Sequence, residues 1–285
     1  MRVHYECLTC QINQCQKIVE LSTDDLEKRK RAMIFSAKLF AKHFNESSIP
    51  AVVGSDIFLE LYEHLGVDDP FRGYKAKSNK LAQRVVENLK KKLKIDLRTA
   101  LKLAIAGNVI DFAVGYEPEK LEKDILKMLE EELYIDDSER LFEKLGEAKV
   151  LLYLTDNCGE IYFDKLLLEA IRGEFPKLTI YIAGKEGAII NDATISDLKE
   201  AKLDEVGNVI STGTRIVGVP IGRVSDKFLE IFNRADVIIA KGQGNFETLG
   251  EIKDSRVFFL LKAKCKPVAR ELNVPLGAMV CKAFK

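Results

Sequence analysis

The sequence predicts an α/β fold, in which a helical N-terminal region (residues 1–147) packs on a mostly parallel, doubly wound, Rossmann-like sheet (residues 148–285). Two observations carry this. Before Ala148, apolar residues recur at helical spacing in long segments separated by turn residues. From Ala148 onward, short apolar runs alternate with helical stretches, the pattern of parallel strands joined by crossover helices. A third observation concerns position: the polar residues of the second half gather at the ends of the apolar runs, where open α/β sheets hold their ligands.

The elements follow in order. Asp24 to about Asn45 is rich in Leu, Lys, Ala and Phe at helical spacing, with Ser22 or Thr23 as a cap. Ile49-Pro50 interrupts it, a second helix runs through Ser55–Leu61, and Asp68-Asp69-Pro70 marks a turn. Helices follow over Lys77–Lys94, from Asp96 to about Ala106, from about Lys120, and over Asp136–Leu145. The expected strands are Val150–Leu154, Leu178–Ala183, Val209–Ile210, Val237–Ala240, Val257–Leu261 and Ala278–Val280, with helices over Glu160–Arg172 and Ser225–Arg234. Val150–Leu154 has no polar alternation, as suits a strand buried on both faces.

Composition narrows the classes. The 285 residues are 47% hydrophobic and 31% charged, which suits a folded globular chain with a sizeable core. Lys+Arg and Asp+Glu both number 44, so no bulk charge points to nucleic acid or an anionic membrane. No apolar run approaches the ~20 residues of a membrane helix, and the first residues lack the apolar segment of a signal peptide. The expectation is a cytoplasmic protein without nucleic-acid or membrane partners. Six cysteines in such a chain do not suggest a disulfide framework. Three histidines, all before residue 65, leave a metal site in the second half to oxygen ligands.

Four polar clusters would share one edge of the sheet. They are Thr155-Asp156-Asn157, then Gly184-Lys185 with the loop Asn191-Asp192-Ala193-Thr194, then Lys241-Gly242-Gln243-Gly244-Asn245-Phe246-Glu247, then Lys262. Asp156, Asn157 and Asp192 are hard oxygen donors suited to a divalent metal such as Mg²⁺ or Mn²⁺. Lys241 and Lys262 offer charge for a phosphate, and the Gly242–Asn245 turn offers backbone N–H groups to an anion. Phosphate-ester hydrolysis by metal-activated water fits this set. Asp156 alone would serve equally as a helix cap, and a covalent Asp156 nucleophile ranks lower because the Asp-x-Asp pattern is missing. The alternative function is a nucleotide- or dinucleotide-binding oxidoreductase using Gly242–Gly244, although Glu247 stands where the third fingerprint glycine belongs.

Thr-Asp-Asn-x-Gly-Glu, Asn-Asp-Ala-Thr, Lys-Gly-x-Gly-Asn-Phe-Glu and Leu-Lys-Ala-Lys-Cys-x-Pro-Val-Ala, in this order, resemble the DUF89 damage-control phosphatases. Cys7-Leu8-Thr9-Cys10 is similar to the Cys-x-x-Cys signature of that family's microbial branch, and Ala106–Phe112 resembles a further family segment. The resemblance implies a phosphatase using Mn²⁺, Co²⁺, Ni²⁺ or Mg²⁺ on sugar phosphates or damaged phosphometabolites. It also implies Asp156, Asn157 and Asp192 as metal ligands, and Glu160, the Gly242–Phe246 turn and Lys262 as substrate contacts. A related branch carries that lysine in Arg-Thr-x-Lys, whereas this chain has Phe259-Leu260-Leu261-Lys262. Asn108 and Asp111, three apart, would share a helix face, either closing over the site or buttressing a helix. Cys7, Cys10 and Cys15 either stay reduced beside a helix or hold zinc or an iron–sulfur centre with a fourth ligand such as His4. Cys158 lies beside the proposed metal ligands without a histidine to act as its base, and is assigned no catalysis.

Overall fold

The computed structural model describes residues 1–108 and 117–284. The N-terminal helices are α1 (Tyr5–Ser22), α2 (Leu26–His43), α3 (Pro50–Leu65), α4 (Arg72–Lys92), α5 (Leu97–Ala106), α6 (Pro118–Glu130) and α7 (Ser138–Glu147). Between α6 and α7 lies a two-residue strand, β1 (Ile135–Asp136). There follow β2 (Val150–Leu154), α8 (Glu160–Glu174), β3 (Thr179–Gly184), α9 (Ile195–Glu200) and β4 (Asn208–Ser211). The chain ends through α10 (Asp226–Arg234), β5 (Val237–Lys241), α11 (Gly242–Leu249), β6 (Val257–Lys262), α12 (Lys266–Leu272) and β7 (Met279–Ala283).

Local chemistry sets several boundaries. Asp25, not Ser22 or Thr23, caps α2, its side chain accepting from the N–H groups of Glu27 and Lys28. Pro50 opens α3 rather than merely breaking the preceding helix, since the first helical turn needs no N–H there. Asp96 caps α5 through the N–H of Thr99.

The seven strands run in the order β1-β7-β6-β5-β2-β3-β4. All neighbours pair parallel except β6 and β7. The chain leaves β2 toward β3 on one side and returns to β5 on the other. That reversal opens a crevice at the C-terminal ends of β2 and β5. The α/β, doubly wound architecture expected from the alternation of runs and helices is therefore present. The texture change at residue 148 marks the start of the central strand. β1, which precedes it, is an edge strand held against β7.

Both faces of the sheet are covered. Leu151, Tyr153, Val237 and Ile239 pack into one apolar layer with side chains of α4–α8, such as Val85, Leu101 and Phe163. Leu152, Leu154, Ile238 and Ala240 face the other layer with Phe228, Phe246 and Val268. This two-sided burial explains the lack of polar alternation along β2. A third cluster joins α1–α3 to Ile189 in the loop after β3. From that bundle Tyr62 accepts a hydrogen bond from the Ile190 N–H at 3.0 Å and Ser55 one from the Val217 N–H at 2.9 Å. The bundle thus pins two loops that wall the crevice. Among the described residues no helix is long and apolar enough to cross a membrane.

Candidate active site

The crevice holds a cavity of about 230 Å³ lined by Asn108, Asp156, Asn157, Asp192, Gln243 and Gly244, with Ile190, Asn191, Val217, Glu247 and Lys264 completing the wall. The residues come from six places in the chain: just past α5, the β2–α8 turn, the loop after β3, the segment before α10, α11 and the turn between β6 and α12. Asp156 and Asn157 lie two and three residues past Leu154, the last residue of β2. An isolated bridge between Asn157 and Asp192 clamps the loop after β3 to that turn, and the Ala193 N–H donates to Asp156 O at 2.8 Å. The polar residues at the ends of β2 and β3 are in this way brought to one point.

The Asp156 carboxylate is buried and accepts from Asn108 Nδ2 at 3.2 Å and Asn157 Nδ2 at 2.9 Å, both on Oδ2. It lies against the backbone of Gly242, whose φ of +74° is open to glycine. A Cβ at position 242 would stand 1.9 Å from Asp156 Oδ2. Gly242→Ala should therefore displace the carboxylate and cut hydrolysis by about a hundredfold, as ångström-scale misplacement of a reacting group does. Phosphate-release kinetics on a variant with unchanged circular dichroism would check this; unimpaired turnover would refute it.

The loop carrying Asp192 is held from behind. Thr194 and Asp197 form a reciprocal capping box at α9, and Lys75 of α4 reaches Asp197 Oδ2 at 2.9 Å. Burial opposes the Asp197 charge, but hydrogen bonds from Thr194 and Lys75 overcome it and hold the carboxyl below the usual range. A lowered folded pKa means the stabilisation is present above about pH 4 and is lost as pH falls through the folded value. Asp197→Asn should lower the melting temperature at pH 7, with the gap to wild type closing near pH 3. A gap that stays constant across that range would contradict the assignment. Cys158, between these groups, is buried, which pushes its thiol well up. A thiol so raised stays protonated rather than becoming the nucleophilic thiolate.

Several expected site residues sit elsewhere. Lys241 is wholly buried behind the cavity, with Nζ bonded to Ala104 O at 2.9 Å, Asp164 Oδ1 at 2.7 Å and Glu160 Oε1. Its three donors are engaged, so it holds carboxylates rather than facing a phosphate. Glu160 lies in the same buried set, its Oε2 accepting from Asn108 Nδ2 at 2.6 Å. Asn245 is buried too, its Nδ2 donating to Lys241 O and Thr155 O, which ties the ends of β5 and β2 together. Phe246 belongs to the apolar core, edge-on to Phe259 with ring centroids 5.2 Å apart. Lys262 lies on the β7 side near Gly277, and Lys264 occupies the cavity wall instead. Asp111 falls outside the described residues.

Lys185, Lys264 and Glu247 stand within the stretches singled out in the sequence but receive no role there. Lys185 follows β3 directly, and its buried Nζ donates to Gly218 O and stands 3.7 Å from Asp192 Oδ2. Burial lowers this ammonium below the ordinary lysine range, while Asp192 and Asp156 counter the shift. For Glu247 the signal was helical spacing, since Gln243, Gly244 and Glu247 share one face of α11. Cys7 and Cys10 line a second cavity of about 310 Å³ with Cys265, and this cavity shares Ile190, Val217, Gln243 and Glu247 with the first. All six cysteines are free, and Cys15 is buried in the α1–α3 core.

The donor set suits a hard divalent ion. Asp156, Asp192 and Glu247 bring carboxylates to the cavity and Asn108, Asn157, Asn191 and Gln243 bring carboxamides, and the buried Asn108 Oδ1 has no hydrogen-bond partner among the described residues. No group of three or more His, Cys, Asp or Glu side chains among the described residues is gathered for a metal, neither here nor at the cysteines. An ion at Asp156, Asn157 and Asp192 would thus keep positions for water and substrate oxygens, the habit of Mg²⁺ and Mn²⁺.

The damage-control phosphatase ARMT1-like domain matches residues 3–280. The chain belongs to that family. A damage-control phosphatase of Pyrococcus horikoshii is 63% identical over 281 residues, 99% of this chain and 98% of that one. A damage-control phosphatase of Archaeoglobus fulgidus is 35% identical over the full length of both. The crystal structure of a DUF89 family protein from Pyrococcus horikoshii superposes with a TM-score of 0.97 over 100% of both chains, at 63% identity. These relatives make this damage-control protein a phosphatase, and none of them supports the oxidoreductase alternative.

Proposed function

We propose that this phosphatase is divalent-metal-dependent and hydrolyses phosphate monoesters of small metabolites, sugar phosphates or damaged phosphometabolites, in the cytoplasm. The observation that carries the reading is the convergence of Asp156, Asn157, Asp192 and Asn108 on one cavity at the C-terminal ends of β2 and β5. Mn²⁺, Mg²⁺, Co²⁺ or Ni²⁺ held there would supply charge to a phosphoryl oxygen and activate a water as nucleophile. The chain's own part is positional. Asn108 and Asn157 orient Asp156, and the bridge to Asn157 fixes Asp192. Lys185 and Lys264 put positive charge beside the cavity for a dianionic substrate. The start of α11 presents backbone N–H groups on the same side. Lys241 acts from behind by fixing Glu160 and, through it, Asn108. The test is a screen of phosphorylated metabolites across these four metals, following released phosphate. Hydrolysis of none of them, or turnover undiminished by a chelator, would sink the reading.

A further inference from the structure

Glu247 lines both cavities, the polar one holding Asp156 and Asp192 and the more apolar one between α1, α3 and α12. A phosphate ester has the same division, a charged phosphoryl group and the body of its alcohol, joined through one oxygen. With the phosphoryl group in the polar cavity, the shared wall is where that bridging oxygen falls and where the alcohol leaves. The adjoining cavity, about 310 Å³, is large enough for a metabolite-sized leaving group.

We propose that Glu247 is the general acid of this phosphatase, giving its carboxyl proton to the departing alcohol oxygen. The assignment rests on the phosphatase reading above. The step balances as follows. The oxygen of the attacking water forms the new P–O bond, and the bond from phosphorus to the alcohol oxygen breaks with its electron pair going to that oxygen. The Glu247 proton completes the alcohol. Of the two protons from the water, one stays on the released phosphate and the other returns to Glu247 through solvent.

The surroundings keep a proton available. Burial pushes the Glu247 carboxyl up, to about 7, against the opposing pull of the Met1 amino group and a hydrogen bond from the Ala51 N–H. The Cys7, Cys10 and Cys265 thiols face it as neutral groups, each held above the ordinary thiol range by burial. Glu6 and Lys266 stand on the apolar-cavity side and Lys264 on the polar side, with Asp156 and Asp192 across from it. As a cap for α3 alone, Glu247 would be best served by a fully ionised carboxylate at the helix N-terminus. An acid that titrates near the working pH is instead suited to proton transfer.

The experiment uses leaving groups of different basicity on the Mn²⁺-loaded full chain. Glycerol 2-phosphate releases an alkoxide that needs a proton; p-nitrophenyl phosphate releases a phenolate that does not. Glu247→Gln should lower kcat on glycerol 2-phosphate by about a hundredfold or more, while kcat on p-nitrophenyl phosphate stays within about threefold of wild type. The fall of kcat/KM above about pH 7 on glycerol 2-phosphate should also vanish in the variant. Equal losses on both esters, or no loss on either, would overturn the assignment. A wild-type series of substituted phenyl phosphates covers a variant that fails to fold. Rates nearly independent of leaving-group basicity are expected, and a steep dependence overturns the proposal. A wild-type chain that hydrolyses neither ester overturns the phosphatase reading, and the general acid with it.

Discussion

An Asp156→Asn chain should fold normally yet lose metal-dependent phosphate release by about a thousandfold, the scale of removing a group that stabilises developing charge. The change keeps size and removes charge. Asp156 sits at the point where the strand order reverses, its Oδ2 accepting two amide N–H bonds and packed on the Gly242 backbone. A carboxamide there loses the anionic oxygen that a hard divalent ion needs. Turned with Nδ2 toward Asn108 and Asn157, it would set donor against donor. Binding and turnover can be separated. At a free Mn²⁺ concentration of a hundred times its dissociation constant, wild type should gain about 2.7 kcal/mol of stability, read as a rise in melting temperature. The variant should show no such rise and an unchanged melting temperature without metal. Asp156 does not cap α8, whose N-cap is Gly159 without a side-chain bond, so a variant that kept both the Mn²⁺-dependent rise and full hydrolysis would remove Asp156 from the site altogether.

The central strands were readable because burial on both faces leaves an unbroken apolar run. β2 is matched residue for residue, and β3 begins one residue after the expected start. β1 escaped notice because two residues, one apolar, carry no periodic signal. The same limit applied to side chains at strand ends. Asp156, Asn157 and Asp192 could be grouped, since each follows a strand of one parallel sheet. Which way a lysine points is a matter of parity and of what covers it. Val237, Ile239 and Lys241 alternate onto the same face, the layer covered by α5 and α8, so Lys241 turns inward to Ala104 and Asp164. Period-two counting along β5 would have found that. Nothing in the sequence places Glu160 and Asp164 opposite it, because that meeting depends on how α8 lies on the sheet. The choice of Lys264 over Lys262 likewise depends on the antiparallel return of β7 beside β6.

That buried group should also dominate stability. Lys241→Met is expected to lower the unfolding free energy by about 3–5 kcal/mol, because removing one partner strands the others as unpaired buried charge. For a chain of this size that is a fall in melting temperature of about 10 °C. Lys241, Glu160 and Asp164 are all wholly buried. Burial disfavours the Lys241 ammonium, but Asp164 and Glu160 overcome this and hold it protonated above the ordinary lysine range. Burial pushes the Asp164 carboxyl up to about 6, with Lys241 opposing and Glu160 adding to the rise. Without the lysine, two carboxylates face each other and Asp164 must rise further. A folded pKa above the unfolded value means that the native state binds the extra proton, so stability falls as pH rises through that range. The Lys241→Met chain should therefore be more stable at pH 5.5 than at pH 8, and the deficit against wild type should widen between them. Urea unfolding at the two pH values measures both quantities. If the triad were only one of several supports for α8, the variant would unfold within about 1 kcal/mol of wild type at both. If instead the charges are what matters, adding Asp164→Leu to Lys241→Met should recover part of the loss, since an apolar replacement leaves less charge stranded. A double variant weaker than Lys241→Met alone would count against that account. Either chain that retained its fold should still turn over more slowly, because Glu160 without Lys241 no longer holds Asn108, and through it Asp156, in place.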